Sequence, residues 1–168
     1  MKLIIVIATF LSLNAKAENF PALFQNFSGI CINSLDNLEV VYDYAKENTW
    51  KILPEEAKDL VRPADGSDVD AWAYVDNDTT IIIGISIKEV DGYNYSTCSM
   101  AGKGQFKDNF NALVNNYDLE LYDRQKQGIQ VSDVYFYEHP GFSEAYITTL
   151  GSTSDNIKTF SFSVVGIN

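Results

Sequence analysis

The spacing of apolar positions changes along this chain and divides it into helical and extended stretches. Residues 3–13 form a largely apolar run behind Lys2. Farther on, Leu35, Leu38, Val41, Tyr42 and Ala45 recur at the spacing of one helix face. Asn33 or Ser34 can cap that helix. Asp36 and Glu39 sit in its first turns, where the helix dipole favours negative charge. Residues 20–27 are aromatic-rich and read as a turn of helix ahead of Cys31. Trp50 lies past the end of the main helix and is expected to pack back on the core. Pro54 opens a short helix, and Pro63 stops it near Val61.

Residues 62–70 are polar and rich in turn formers, and read as a loop. After it the period becomes two. Residues 71–75 form a short strand ending in an Asp76-Asn77-Asp78 turn, and residues 80–90 a long β-branched strand. Asp91-Gly92 is a strong two-residue hairpin signal, because both residues tolerate positive φ. Residues 93–101 return. If Val90 pairs with Tyr93, then Ile83 faces Met100, Ile85 faces Cys98 and Ile87 faces Ser96. Ile81, Ile83, Ile85, Ile87, Cys98 and Met100 then share one apolar face, while Ser86, Lys88, Tyr95 and Thr97 take a more polar one. Residues 104–116 read as a second helix, with Phe106, Phe110, Leu113, Val114 and Tyr117 on one side. Asn115-Asn116 suits a left-handed stop. Extended stretches follow at 119–126, 129–139, 142–150 and 157–165. The order predicts an α+β fold: a curved antiparallel sheet of about seven strands with two main helices packed on one face.

The first stretch changes the setting. A short positive start, the apolar run and Ala15-Lys16-Ala17 together make a secretory signal peptide over residues 1–17. The run is too short for the ~20 residues of a spanning helix. Residues 18–168 are then a single α+β globular domain, periplasmic or secreted, with no membrane span after cleavage. In an oxidising compartment the only two cysteines, Cys31 and Cys98, are expected to form a disulfide. The register supports this, since it points Cys98 into the core.

Charge narrows the partners. The full chain carries −11. Loss of Lys2 and Lys16 leaves 10 basic against 23 acidic residues, or −13. That sign repels phosphate backbones and anionic lipid, and favours a cationic partner such as a protein of the cell envelope. Nucleic acid is not expected.

Catalytic chemistry finds little footing. His139 is the only histidine, and no G-x-S-x-G elbow accompanies it. Glu138 and Glu144 flank Pro140-Gly141. A two-residue loop there would set Tyr137 against Glu144 and put the two carboxylates on opposite faces, against a hydrolytic dyad. Asp65, Asp68 and Asp70 alternate with small residues and are weak calcium candidates. The EF-hand pattern is absent, however, and no metal site or cofactor is expected. Gly102-Lys103-Gly104 lacks the full phosphate-loop pattern. Aromatic residues are plentiful: ten Tyr, ten Phe and two Trp. Tyr135, Tyr137 and Tyr146 fall on predicted strands, as do Trp72, Tyr74, Tyr93 and Tyr95, and the last four are the candidate binding surface. Tyrosine-rich sheet faces give large rigid contact at low entropy cost.

The layout of Cys31, the helix running to Trp50, Trp72 and Ser96-Thr97-Cys98-Ser99 resembles small exported proteobacterial proteins of unknown function. The resemblance implies a bacterial envelope setting and the Cys31–Cys98 bridge, and carries no activity. The residues therefore predict an exported acidic binding or interaction protein, an inhibitor or accessory factor acting on a cationic envelope partner. A carboxylate- or His139-dependent hydrolase and a calcium-stabilised domain are the alternatives.

Overall fold

A computed structural model describes residues 21–63, 66–76, 78–103, 106–152 and 159–168. The predicted leader, Asp65 and Asn77 lie outside these. The chain opens with helix α1 (Ala22–Asn26), a π-helical turn (Phe27–Ile32) and a 3-10 turn (Leu35–Asn37), and continues into α2 (Glu39–Glu47). Next come β1 (Lys51–Ile52), a one-turn helix α3 (Glu55–Lys58), β2 (Asp70–Asp76), β3 (Thr79–Val90) and β4 (Tyr93–Lys103). Helix α4 (Phe106–Tyr117) is followed by β5 (Glu120–Gln127), β6 (Gln130–Phe136), β7 (Glu144–Ser152) and β8 (Thr159–Ile167). This is an α+β fold. All eight strands join one antiparallel sheet in the order β1-β2-β3-β4-β8-β7-β6-β5. The count is eight rather than seven, because β1 has only two residues and leaves no period to read. Among the described residues, no helix is long and apolar enough to cross a membrane.

The β3–β4 hairpin has the expected register, with Val90 opposite Tyr93, Ile85 opposite Cys98 and Ile83 opposite Met100. Asp91 and Gly92 both adopt positive φ, 52° and 83°, as a type I′ turn requires. Ile81, Ile83, Ile85, Cys98 and Met100 are buried. They meet Phe27, Leu35, Leu38 and Val41 from the N-terminal helices, and Leu113 from α4. Cys31 comes from the π-helical turn and forms a disulfide with Cys98, their Cα atoms 5.3 Å apart. Ile87 is the exception on this face. It is 56% exposed, because it lies toward the hairpin tip, past the helical cover. Helix α4 runs on through Asn115-Asn116 to Tyr117, and the left-handed residue is Asp118, with φ 47°.

The opposite face was expected to be the more polar one, and its β2–β4 half is nonetheless covered. Ser86, Thr97 and Ser99 are buried there. Leu53 and Val61, from the segment that carries α3, pack with Ala71, Ile82 and Ala101. Val61 and Val69 sit so close to Gly84 that a Cβ there would lie 2.6 and 2.8 Å from their methyls. The segment read as a loop with a short helix therefore covers one half of the second face.

Candidate functional site

The other half of that face, across β8, β7, β6 and β5, carries no helix among the described residues. Parity explains what it displays. Ala145, Ile147 and Thr149 of β7 point into the core, so Tyr146, Thr148 and Leu150 point outward. The ladder places Phe136 opposite Tyr146 and Glu120 opposite Phe136. A bulge between Leu121 and Asp123 lets Tyr122 join this outer face. The Tyr122 and Phe136 rings lie 5.7 and 6.0 Å from that of Tyr146. Tyr122 is 71% exposed and Phe136 43% exposed, and Leu150 is also exposed farther along β7. The Tyr146 hydroxyl donates to Glu144 at 3.0 Å, which raises its pKa. Three rings and two carboxylates, Glu120 and Glu144, thus share a sheet surface that no described helix covers.

Behind this patch the sheet is pinned. Asp133 is buried on the α4 side and receives both arms of Arg124, at 2.7 and 2.8 Å. It also accepts the Tyr135 hydroxyl at 3.2 Å. Burial foremost, and then the Asp133 charge, push the Tyr135 pKa up to about 12. The guanidinium is raised in turn, chiefly by its bonds to Asp133.

Trp72, Tyr74, Tyr93 and Tyr95 do not form one surface. Trp72 and Tyr74 lie on the helix-covered face. Trp72 is only 8% exposed and meets Tyr42 edge-on at 5.2 Å. Tyr74 stacks on Trp50, centroids 4.1 Å apart and planes 8° apart, so Trp50 does pack back on the core. Tyr93 is exposed near the hairpin tip, and Lys88 lies over the Tyr95 ring at 5.3 Å.

The two described calcium candidates, Asp68 and Asp70, are also engaged apart from one another. Asp70 accepts the Tyr42 hydroxyl, whose pKa is pushed up to about 12 by burial first and by Asp70 second. Asp68 lies 3.9 Å from Arg62. Among the described residues, no three His, Cys, Asp or Glu side chains converge to hold a metal.

His139 serves its own turn. Its Nδ1 accepts the Gly141 amide at 3.1 Å, and its ring lies near those of Tyr137 and Phe142. The β6–β7 connection is longer than the two-residue loop read from Pro140-Gly141. Tyr137 donates to Ala145, one step from the expected partner Glu144. The cause lies in residues 142–143: Phe142 turns back to His139, and Ser143 bonds the Ile167 carbonyl through its amide and hydroxyl. Glu138, His139 and Glu144 share a shallow depression of about 480 Å³ that reaches Phe136 at the edge of the aromatic patch.

Compared with models of known protein families, with curated proteins and with solved structures, the chain finds no match.

Proposed function

We propose that this chain is an exported binding protein of the bacterial envelope, and that the bare half of its sheet takes a cationic segment of a partner protein. The observation that supports this reading best is the cluster of Tyr122, Phe136 and Tyr146, the first two exposed and the third half-buried, beside Glu120 and Glu144. Aromatic faces attract arginine and lysine side chains, by about 0.5–1 kcal/mol each at exposed sites. Neighbouring carboxylates add charge complementarity, and the net charge of −13 that remains once Lys2 and Lys16 leave with the leader steers such a partner in from a distance. Acting as an inhibitor or as an accessory factor are two uses of the same surface.

The reading is tested with a fluorescent nona-arginine peptide across a salt series. Binding is expected to weaken as salt rises. Tyr122→Ala is expected to weaken it roughly two- to fivefold at fixed salt, the equivalent of about 0.5–1 kcal/mol. Tyr93→Ala, equally neutral and on a distant part of the sheet, is expected to leave it unchanged. Equal affinities for both variants and the parent chain would mean that only diffuse charge holds the peptide.

A further inference from the structure

A cleft of about 450 Å³ opens between the π-helical turn and α2, with Asp76 at the end of β2 among its walls. That volume lies within the range of small-ligand sites, roughly 300–1,000 Å³. Ile30 and Val40 supply apolar wall, and Tyr44 supplies a ring. Gly29 lines it too, and a Cβ there would meet no atom within 4 Å. π-Helical turns recur at functional sites, and this one presents Gly29 and Ile30 to the opening.

The polar end of the cleft is held by a chain of contacts. Tyr74, stacked on Trp50, donates its hydroxyl to Asn26 Oδ1 at 2.8 Å. The Asn26 amide donates to the Ala22 carbonyl at 2.8 Å and to Asp76 Oδ2 at 2.7 Å. The carboxylate therefore has a fixed position. Among the described residues, no lysine or arginine pairs with it. Burial first, then the Asp76 charge and Tyr44, raise the Tyr74 pKa, so the hydroxyl that anchors Asn26 remains a donor.

We infer that this cleft binds an organic cation: a guanidinium or primary ammonium group on a short aliphatic arm. The head group meets the Asp76 carboxylate, and the arm lies along Ile30, Val40 and the Tyr44 ring. A charge-assisted hydrogen bond is about twice as strong as a neutral one, and the ring adds cation–π attraction. The same head group has two sources, a free small amine or guanidine, or a lysine or arginine side chain of a partner protein.

Titration of the oxidised, 15N-labelled chain separates these sources. Agmatine represents the free cation, and the blocked peptide acetyl-Gly-Arg-Gly-amide represents the side chain. At least one probe is expected to shift the Asn26 side-chain amide and the Trp50 indole signals to saturation. Saturation by agmatine alone assigns a free ligand, and saturation by the peptide assigns a partner's side chain. Asp76→Asn is expected to weaken binding roughly tenfold or more, as loss of a charge-assisted bond implies. Gly29→Leu keeps the carboxylate and occupies the open wall, so it covers the case in which Asp76→Asn disturbs the β2–β3 turn, and it is expected to weaken binding as much. The inference is overturned if neither probe saturates, or if a folded variant of either kind binds as the parent chain does. Tyr122→Ala, on the bare half-sheet, is expected to leave this binding unchanged.

Discussion

Gly84→Ala tests the cover on the second sheet face. Gly84 interrupts the isoleucine run of β3, and its φ is not positive, so an alanine fits the backbone there. With an open neighbourhood, this change would stabilise the protein by about 0.4–1 kcal/mol, because it restricts the unfolded chain. The structure predicts the opposite sign. The new Cβ would lie 2.6 Å from a Val61 methyl and 2.8 Å from a Val69 methyl. Ordinary contact begins at 3.4 Å, so Val61 must retreat by roughly 0.8 Å. Overpacking of this kind costs about 1–3 kcal/mol. Set against the unfolded-state gain, the net is a loss of roughly 1–2 kcal/mol. Urea denaturation of the oxidised chain measures it. Val61→Ala in the same molecule removes the clashing methyls, so the double variant should be less destabilised than the two single changes added together. A Gly84→Ala protein more stable than the parent, or strict additivity in the double variant, would show that Val61 and Val69 do not lie on the sheet.

Three further outcomes follow from the packing and the buried charge. Ile85→Ala should cost about 2–5 kcal/mol in urea denaturation, whereas Ile87→Ala, 56% exposed on the same strand face, should stay within about 0.5 kcal/mol; equal costs would misplace the edge of the helical cover. Arg124→Ala leaves the Asp133 carboxylate buried without its cation and should lower the urea midpoint, by less than loss of a fully buried pair would because the Arg124 side chain is 57% exposed; Asp133→Asn in the same background should recover part of the loss. Tyr42 and Tyr135 have folded pKa values pushed up to about 12 against an ordinary 10.0, so the stability they contribute is whole below pH 10 and lost as pH rises through 12; unfolding followed from pH 9 to 12 should show that decline, and a flat profile would contradict the partial desolvation of these hydroxyls and their bonds to Asp70 and Asp133.

The parts of the fold that were legible in sequence are those set by local rules. Asp91-Gly92 needs positive φ at both positions, and that requirement alone fixes which residues of β3 and β4 face each other. The Cys31–Cys98 bridge follows once Cys98 is known to face inward. Long-range packing was not legible. Nothing periodic in residues 53–69 shows that Val61 lies on Gly84, although a glycine inside an isoleucine run was a sign of close approach. Ile87 fits the apolar alternation and is nonetheless exposed, because alternation does not show where the helices end. Trp72 and Tyr74 alternate properly, but the pattern could not tell the covered face from the open one. Tyr122 was missed because β5 reads Glu-Leu-Tyr-Asp-Arg-Gln-Lys-Gln with no apolar alternation, and a bulge decides where its ring goes. Phe136 was findable, since it shares a face with Tyr146 once β6 and β7 are in register.

The central claim is that the uncovered half-sheet is the binding surface. Amide shift mapping of the oxidised chain with the nona-arginine peptide tests it most directly, in the Asp76→Asn background so that the α2 cleft does not contribute. The account predicts that the largest shifts cluster at Glu120, Tyr122, Phe136, Tyr146 and Leu150, and that Tyr122→Ala reduces them. Shifts scattered over the acidic surface, or concentrated around Tyr93 and Tyr95 while β5–β7 stay silent, would contradict it.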